Sequence, residues 1–224
     1  MQSGGMETQR AAEHLQVIRT LMERSALYRR ALAPIMIFAG VLGVAAALAG
    51  WRLGIVSPAA FIAYWYGVAA VVLTGAFLLV RRQAWRQSEP FWSPLTRRVA
   101  LALLPSLTTG FVLGLLVFSA RQWHFEPGAS ALAALPDGDL LRLVPLGWVV
   151  LYGCALHAAG FFMTRGMRWF GWGLVLTGGA ALLLLPAGPD GPALGQAVMG
   201  GFFGALHLAY GVYLHFTEPR ESQS

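Results

Sequence analysis

The chain has 224 residues, of which 57% are hydrophobic and 12% charged, and it carries a net charge of +6. A soluble domain has about 25% charged residues, so this composition excludes a surface wetted on every side and makes lipid the expected solvent. The sixteen basic residues are all Arg and crowd beside apolar runs, the pattern of membrane-flanking loops rather than of a nucleic-acid-binding face. The single cysteine, Cys154, excludes an internal disulfide.

The first thirty residues are polar, too long a lead for a secretory signal. Within them Ala11, Leu15, Ile18, Met22 and Ser25 recur at spacings of four and three, with Arg10, Glu13, Arg19, Glu23 and Arg24 on the other faces. This predicts a cytoplasmic amphipathic segment over residues 1–30. It would lie along the inner leaflet, or dock against a protein partner or a second copy. The stretch "LQVIRTLMERSALYRRALAP", through Ile18, Arg19, Met22, Glu23 and Arg24, resembles the N-terminus of a group of uncharacterised bacterial multi-span inner-membrane proteins. "GGFFGALHLAYG", Gly200 to Gly211, resembles their last span. The resemblance implies a bacterial inner-membrane protein. It brings no established activity and no functional residues.

Six apolar runs follow, at about 31–50, 59–80, 99–119, 143–163, 169–185 and 194–216. Each is near the ~20 residues that cross a bilayer as a helix, and none holds Asp, Glu or Arg. They predict an all-α polytopic protein with a six-helix membrane domain over 31–216 and a tail over 217–224. Thirteen arginines fall on the side of the chain ends and three, Arg52, Arg121 and Arg142, on the other. That bias predicts both termini on the cytoplasmic side of a bacterial inner membrane. Trp51, Trp65, Trp123 and Trp148 fall toward the outer interface, and Trp85, Trp92 and Trp169 toward the inner one.

Between the second and third runs lies "RRQAWRQSEPFWSPLTRR". Its Arg81, Arg82, Arg86, Arg97 and Arg98 are placed to meet anionic headgroups; as orientation signals alone they would also be accounted for. Pro105 would kink the third run and free carbonyls near Ser106, Thr108 and Thr109. The outer loop 120–142 holds His124, Glu126, Asp137 and Asp139, a cation group on one reading. On the other, Asp139 is a helix N-cap and Asp137-Gly138 a turn.

Two small-residue stripes carry histidine: Gly153, His157 and Gly160 in the fourth run, and Gly204, His207, Gly211 and His215 in the sixth. With Gly40, Gly43, Ala47 and Gly50 of the first, they predict close packing of spans one, four and six. Counting from the span starts sets His157 and His207 at one height, with His215 near the inner interface. Three readings are open for that pair. Each is a satisfied imidazole holding helices together, or the two line a cavity for a small or lipid-like ligand, or they ligate a metal or the iron of a b-type haem. Cys154 shares part of the His157 face and would join a metal site, or is simply a small buried residue.

No carboxylate lies within a span, which argues against an ion-coupled pump. The phosphate loop, the nucleophile elbow and the His-Glu-x-x-His helix are all missing from the chain. The leading expectation is a non-enzymatic ligand- or partner-binding membrane protein using His157, His207, Cys154 and His215. A haem or metal redox protein and a structural subunit of a membrane assembly are the alternatives.

Overall fold

An apolar segment in lipid has one way to satisfy its backbone, hydrogen bonds within itself. In the computed structural model, residues 32–86, 94–123, 131–186 and 191–217 are described, and all their regular structure is helical. The N-terminal segment 1–30, the tail beyond Thr217, and His124, Glu126 and Trp92 lie outside these residues. Six helices are long and apolar enough to cross a membrane. They are α1 (Leu32–Arg52), α2 (Pro58–Arg86), α3 (Pro94–Gln122), α5 (Asp137–Ala159), α6 (Arg165–Leu184) and a sixth span, Gly191–Thr217. A single turn, α4 (Ala131–Ala134), precedes α5. The sixth span is built of α7 (Gly191–Val198), a wider π-helical segment over Met199–Ala205, and α8 (Leu206–Thr217).

Several ends differ from the sequence expectation. The fourth span, α5, begins at Asp137, not 143, and stops at Ala159, not 163. Pro136 is the N-cap position of this helix, and Asp137 and Asp139 both sit in its first turn, where the N-terminal dipole favours a carboxylate. Asp139 is therefore inside the helix and not its cap. Arg142, expected in a loop, is one turn into α5. Pro105 does not break α3, which runs through it; the Thr109 hydroxyl donates to Pro105 O at 2.8 Å. α2 and α3 each have 29 residues, about 43 Å at 1.5 Å per residue. That exceeds a hydrocarbon core of about 30 Å, so α2 and α3 carry Arg86, Arg97 and Arg98 past it.

Glycine sets which helices touch. α1 runs antiparallel to the sixth span with the two backbones in close contact. Gly43 faces Phe203 O and Gly204, Ala47 faces Gly200, and Gly211 faces Ile37. A Cβ at Gly43 would come within 2.6 Å of Phe203 O, and one at Gly211 within 2.7 Å of Ile37 N. A second seam joins α5 to α6. There Gly153 lies against Gly171 O and Val175, Gly171 against the His157 backbone, and Gly160 against Arg168. The stripe on α5 thus packs on span five, not on spans one and six as the sequence suggested. α5 meets the sixth span with a different set of residues. Pro145 has no N–H to offer Leu141 O, and Gly195 sits against that oxygen, where its Cβ would be 2.7 Å away. α5 is the most enclosed span, half buried along its apolar window, against 11% for α2 and 17% for α3. The bundle is therefore centred on α5, with α2 and α3 largely turned to lipid. Side-chain hydrogen bonds tie them in: Tyr66 of α2 donates to Phe111 O of α3 at 2.5 Å, Trp148 of α5 to Gly110 O of α3 at 2.9 Å, and Tyr64 of α2 to Ala46 O of α1 at 2.6 Å.

Candidate functional site

The sixth span changes pitch where its sequence is richest in glycine, "MGGFFGA". In the π-helical turn the Leu206 N–H reaches back five residues to Gly201 O, and so does not take Phe202 O as an α-helix would. The His207 side chain uses that oxygen instead: Nδ1 lies 2.8 Å from Phe202 O. A carbonyl oxygen only accepts, so Nδ1 carries the proton. In the neutral ring Nε2 is then an acceptor, and the Tyr152 hydroxyl, 3.0 Å away, donates to it. His207 is 2% exposed. Around it stand the rings of Tyr152 and Phe170, each with its centroid 5.3 Å away, and of Phe203 at 6.0 Å. Phe170 in turn stacks on Tyr210 at 4.6 Å. The site thus draws on α5, α6, the π segment and α8.

His157 does not join it. Its contacts are with Phe161 and Trp172, edge to face at 5.2 and 5.3 Å. It occupies the last turn of α5, five residues beyond Tyr152, the residue that His207 meets. The equal heights inferred from span counting therefore do not hold. α5 and the sixth span run parallel with Gly138 against Gly191; Tyr152 lies fourteen residues beyond the first and His207 sixteen beyond the second. The π turn takes up extra residues per turn, and the rest comes from the span starts, which lie six residues earlier than expected in α5 and three earlier in the sixth span. His157 Nδ1 is buried and has no hydrogen-bond partner among the described residues. Cys154 is exposed on α5 and His215 is exposed near the end of α8, beside Phe216 at 5.5 Å. Neither reaches His207. A haem iron or metal at His207 would have to displace either Tyr152 or Phe202 O, since both ring nitrogens are engaged. Among the described residues no three His, Cys, Asp or Glu side chains gather as a metal site.

Arg81, Arg82, Arg86, Arg97 and Arg98 are all exposed, at the ends of α2 and α3. The Arg81 guanidinium lies over the Trp85 ring at 4.8 Å. At the opposite end of the bundle, Arg142 donates to Leu182 O and Leu185 O at 3.0 and 3.1 Å. A cation thus meets the C-terminal carbonyls of α6, where the helix dipole favours it.

Two polar residues lie outside the candidate site expected from the sequence. Tyr152, the hydroxyl partner of His207, is an interfacial residue type and was not among the expected site residues. Gln196 is 4% exposed, and its Oε1 accepts from Trp65 Nε1 at 3.1 Å. A search for ionisable groups passes over an uncharged amide. The signal was nonetheless present, because a Gln in an apolar run needs partners for its amide as surely as a His needs them for its ring.

No protein-family model, no curated protein and no solved structure matches this chain.

Proposed function

We propose that the chain is a non-enzymatic protein of the bacterial inner membrane, with both termini cytoplasmic, that binds a small or lipid-like ligand at His207. The reading rests on one observation: a histidine enclosed on every side, both nitrogens committed, at the end of a π-helical segment. A π-turn gives up regular α-helical bonding, and such turns recur at functional sites. An ionisable residue inside a membrane bundle is likewise a functional candidate. Of the two bonds, that from Tyr152 is the one a ligand would replace, because its donor is a side chain while Phe202 O belongs to the backbone. A ligand hydroxyl or amide N–H would take the place of the Tyr152 proton at Nε2. The inward placement of the ends is supported by the thirteen-to-three distribution of arginine, and the bacterial assignment by the resemblance of the two chain ends.

The test compares the full chain with His207→Phe after mild detergent purification. Small molecules and lipids released from each are identified by mass spectrometry, and circular dichroism checks the helix content. The expected result is a species carried by the parent and lost from a folded His207→Phe. The same species on both, or none on either, removes the reading.

A further inference from the structure

The buried residues of α6 are Met167, Gly171, Leu174 and Gly178, which form one face at about 100° per residue. The opposite face begins at Arg165 and continues through Arg168, Trp169, Trp172 and Leu176. All of these are exposed except Arg168, which is half-buried. Arg168 is held in place. Its stem crosses Gly160, where a Cβ would lie 2.8 Å from the Arg168 backbone N, and its guanidinium lies over the Phe161 ring at 5.1 Å. The first turn of α6 contains no acidic residue. Among the described residues the carboxylates are Asp137 and Asp139, at the far end of α5. Two guanidiniums one turn apart thus stand against the positive end of a helix dipole, with no described carboxylate beside them.

We propose that the outward face of α6 is a docking site for an anionic phospholipid, with Arg165 and Arg168 on its phosphate and its acyl chains along Gly173 and Gly179, on either side of Leu176.

Charge, length and shape all select that occupant. A phosphate diester supplies the negative charge that the guanidiniums lack, and arginine suits phosphate through its planar donors. Gly179 lies fourteen residues beyond Arg165, about 21 Å at 1.5 Å per residue. One leaflet with its headgroups is about 20–22 Å thick, half of the bilayer, so the face is as long as one lipid. Trp169 and Trp172 fall between the arginines and the apolar part, at the depth where indoles collect. Trp172 rests edge-on against His157 at 5.3 Å. The glycines of α6 divide into two kinds. Gly171 and Gly178 are packed against α5, whereas a Cβ at Gly173 or Gly179 would meet nothing within 4 Å. These two open positions fall about 60° to either side of Leu176, one flank for each chain of a diacyl lipid. The flank at Gly173 has no spare donor, because the Thr177 hydroxyl turns back to Gly173 O at 2.5 Å. A second copy of the chain fits less well. A two-fold pairing on this face sets the same patch against itself, and so arginine against arginine. The face shares no residue with the site at His207, and the two proposals stand or fall separately.

The experiment uses the full chain in mild detergent with an equimolar mixture of dioleoyl phosphatidylglycerol and dioleoyl phosphatidylcholine. Native mass spectrometry reads which lipid is retained, and circular dichroism checks the helix content. The parent should retain phosphatidylglycerol in several-fold preference. Arg165→Gln and Arg168→Gln should each lower that preference by about fivefold, the effect of one arginine at an anionic surface. Gly173→Leu fills one flank without touching the charges and should reduce retention of phosphatidylglycerol. Gly67→Leu, at an equally open glycine on α2, should leave it unchanged. If an arginine variant does not fold, the two glycine variants decide the matter by themselves. Equal retention of the two lipids by the parent overturns the proposal, as does undiminished retention in Gly173→Leu. A loss in Arg81→Gln/Arg82→Gln as large as in the α6 variants would reduce the effect to general charge and also overturn it. So would a dimer that Gly173→Leu disperses, which would give the face to a second copy.

Discussion

The Tyr152 hydroxyl and His207 Nε2, 3.0 Å apart, form a side-chain bond between the fourth and sixth spans, in a region where the other contacts are aromatic. Interhelical hydrogen bonds in membranes average about 0.6 kcal/mol and reach roughly 1.7. The pair should fall in the upper half of that range, since its acceptor is aligned by a second bond. A double-mutant cycle with Tyr152→Phe and His207→Phe, read by unfolding in mixed micelles, should return a coupling of about 1 kcal/mol. A coupling indistinguishable from zero would show that the bond contributes nothing.

The seam between α1 and the sixth span depends on two bare backbones meeting. Gly204→Val puts new atoms where Val44 N would already lie 2.7 Å from a Cβ. Overpacking of this kind costs about 1–3 kcal/mol, and the melting temperature should fall accordingly. Gly173→Ala is the control, because a Cβ there meets nothing within 4 Å. It should be neutral or stabilising by up to about 1 kcal/mol through helix propensity. Equal losses at both positions would mean that the seam is not special.

Arg142 should matter more than its outlying position suggests. Its two bonds to Leu182 O and Leu185 O hold the end of α6 against α5. Arg142→Leu removes a charged donor and leaves both carbonyls without it, an expected loss of about 1–2 kcal/mol. Arg142→Lys, a point charge without the planar fork, should recover part of it in the same unfolding assay.

Cys154 provides an opposite expectation. It is exposed on α5 and turned away from Tyr152's partner. Cys154→Ala should change stability by no more than about 0.5 kcal/mol and leave the Tyr152–His207 coupling unaltered. In a bilayer an apolar maleimide should label it faster than a charged thiol reagent. Protection from both would place Cys154 inside the bundle.

Six spans, their approximate limits and the glycine face of α1 were all legible in the residue order, because lipid imposes a simple rule. A run of about twenty apolar residues must be a helix, whatever its neighbours do. Small residues one turn apart likewise announce a close approach on their own helix. Which helix fills that approach was not legible. The stripe at Gly153, His157 and Gly160 has the same composition as the one in the sixth span, and it meets α6 instead. Partner choice depends on how all six helices share α5, a property of the assembled bundle.

The two histidines show the same division at the level of single atoms. Their apolar surroundings follow from local sequence, and so does the need of each ring for partners. Their relative height depends on where α5 starts and on a π turn at Met199–Ala205, both set by packing rather than by hydropathy. Tertiary structure alone set His207 against Tyr152, left His157 among Phe161 and Trp172, and brought Trp65 to the Gln196 amide. Hydrophobicity is a sum over a segment and can be read along the chain. A hydrogen bond needs two atoms within about 3 Å, and only the packed helices bring residues 55 and 131 positions apart to that distance.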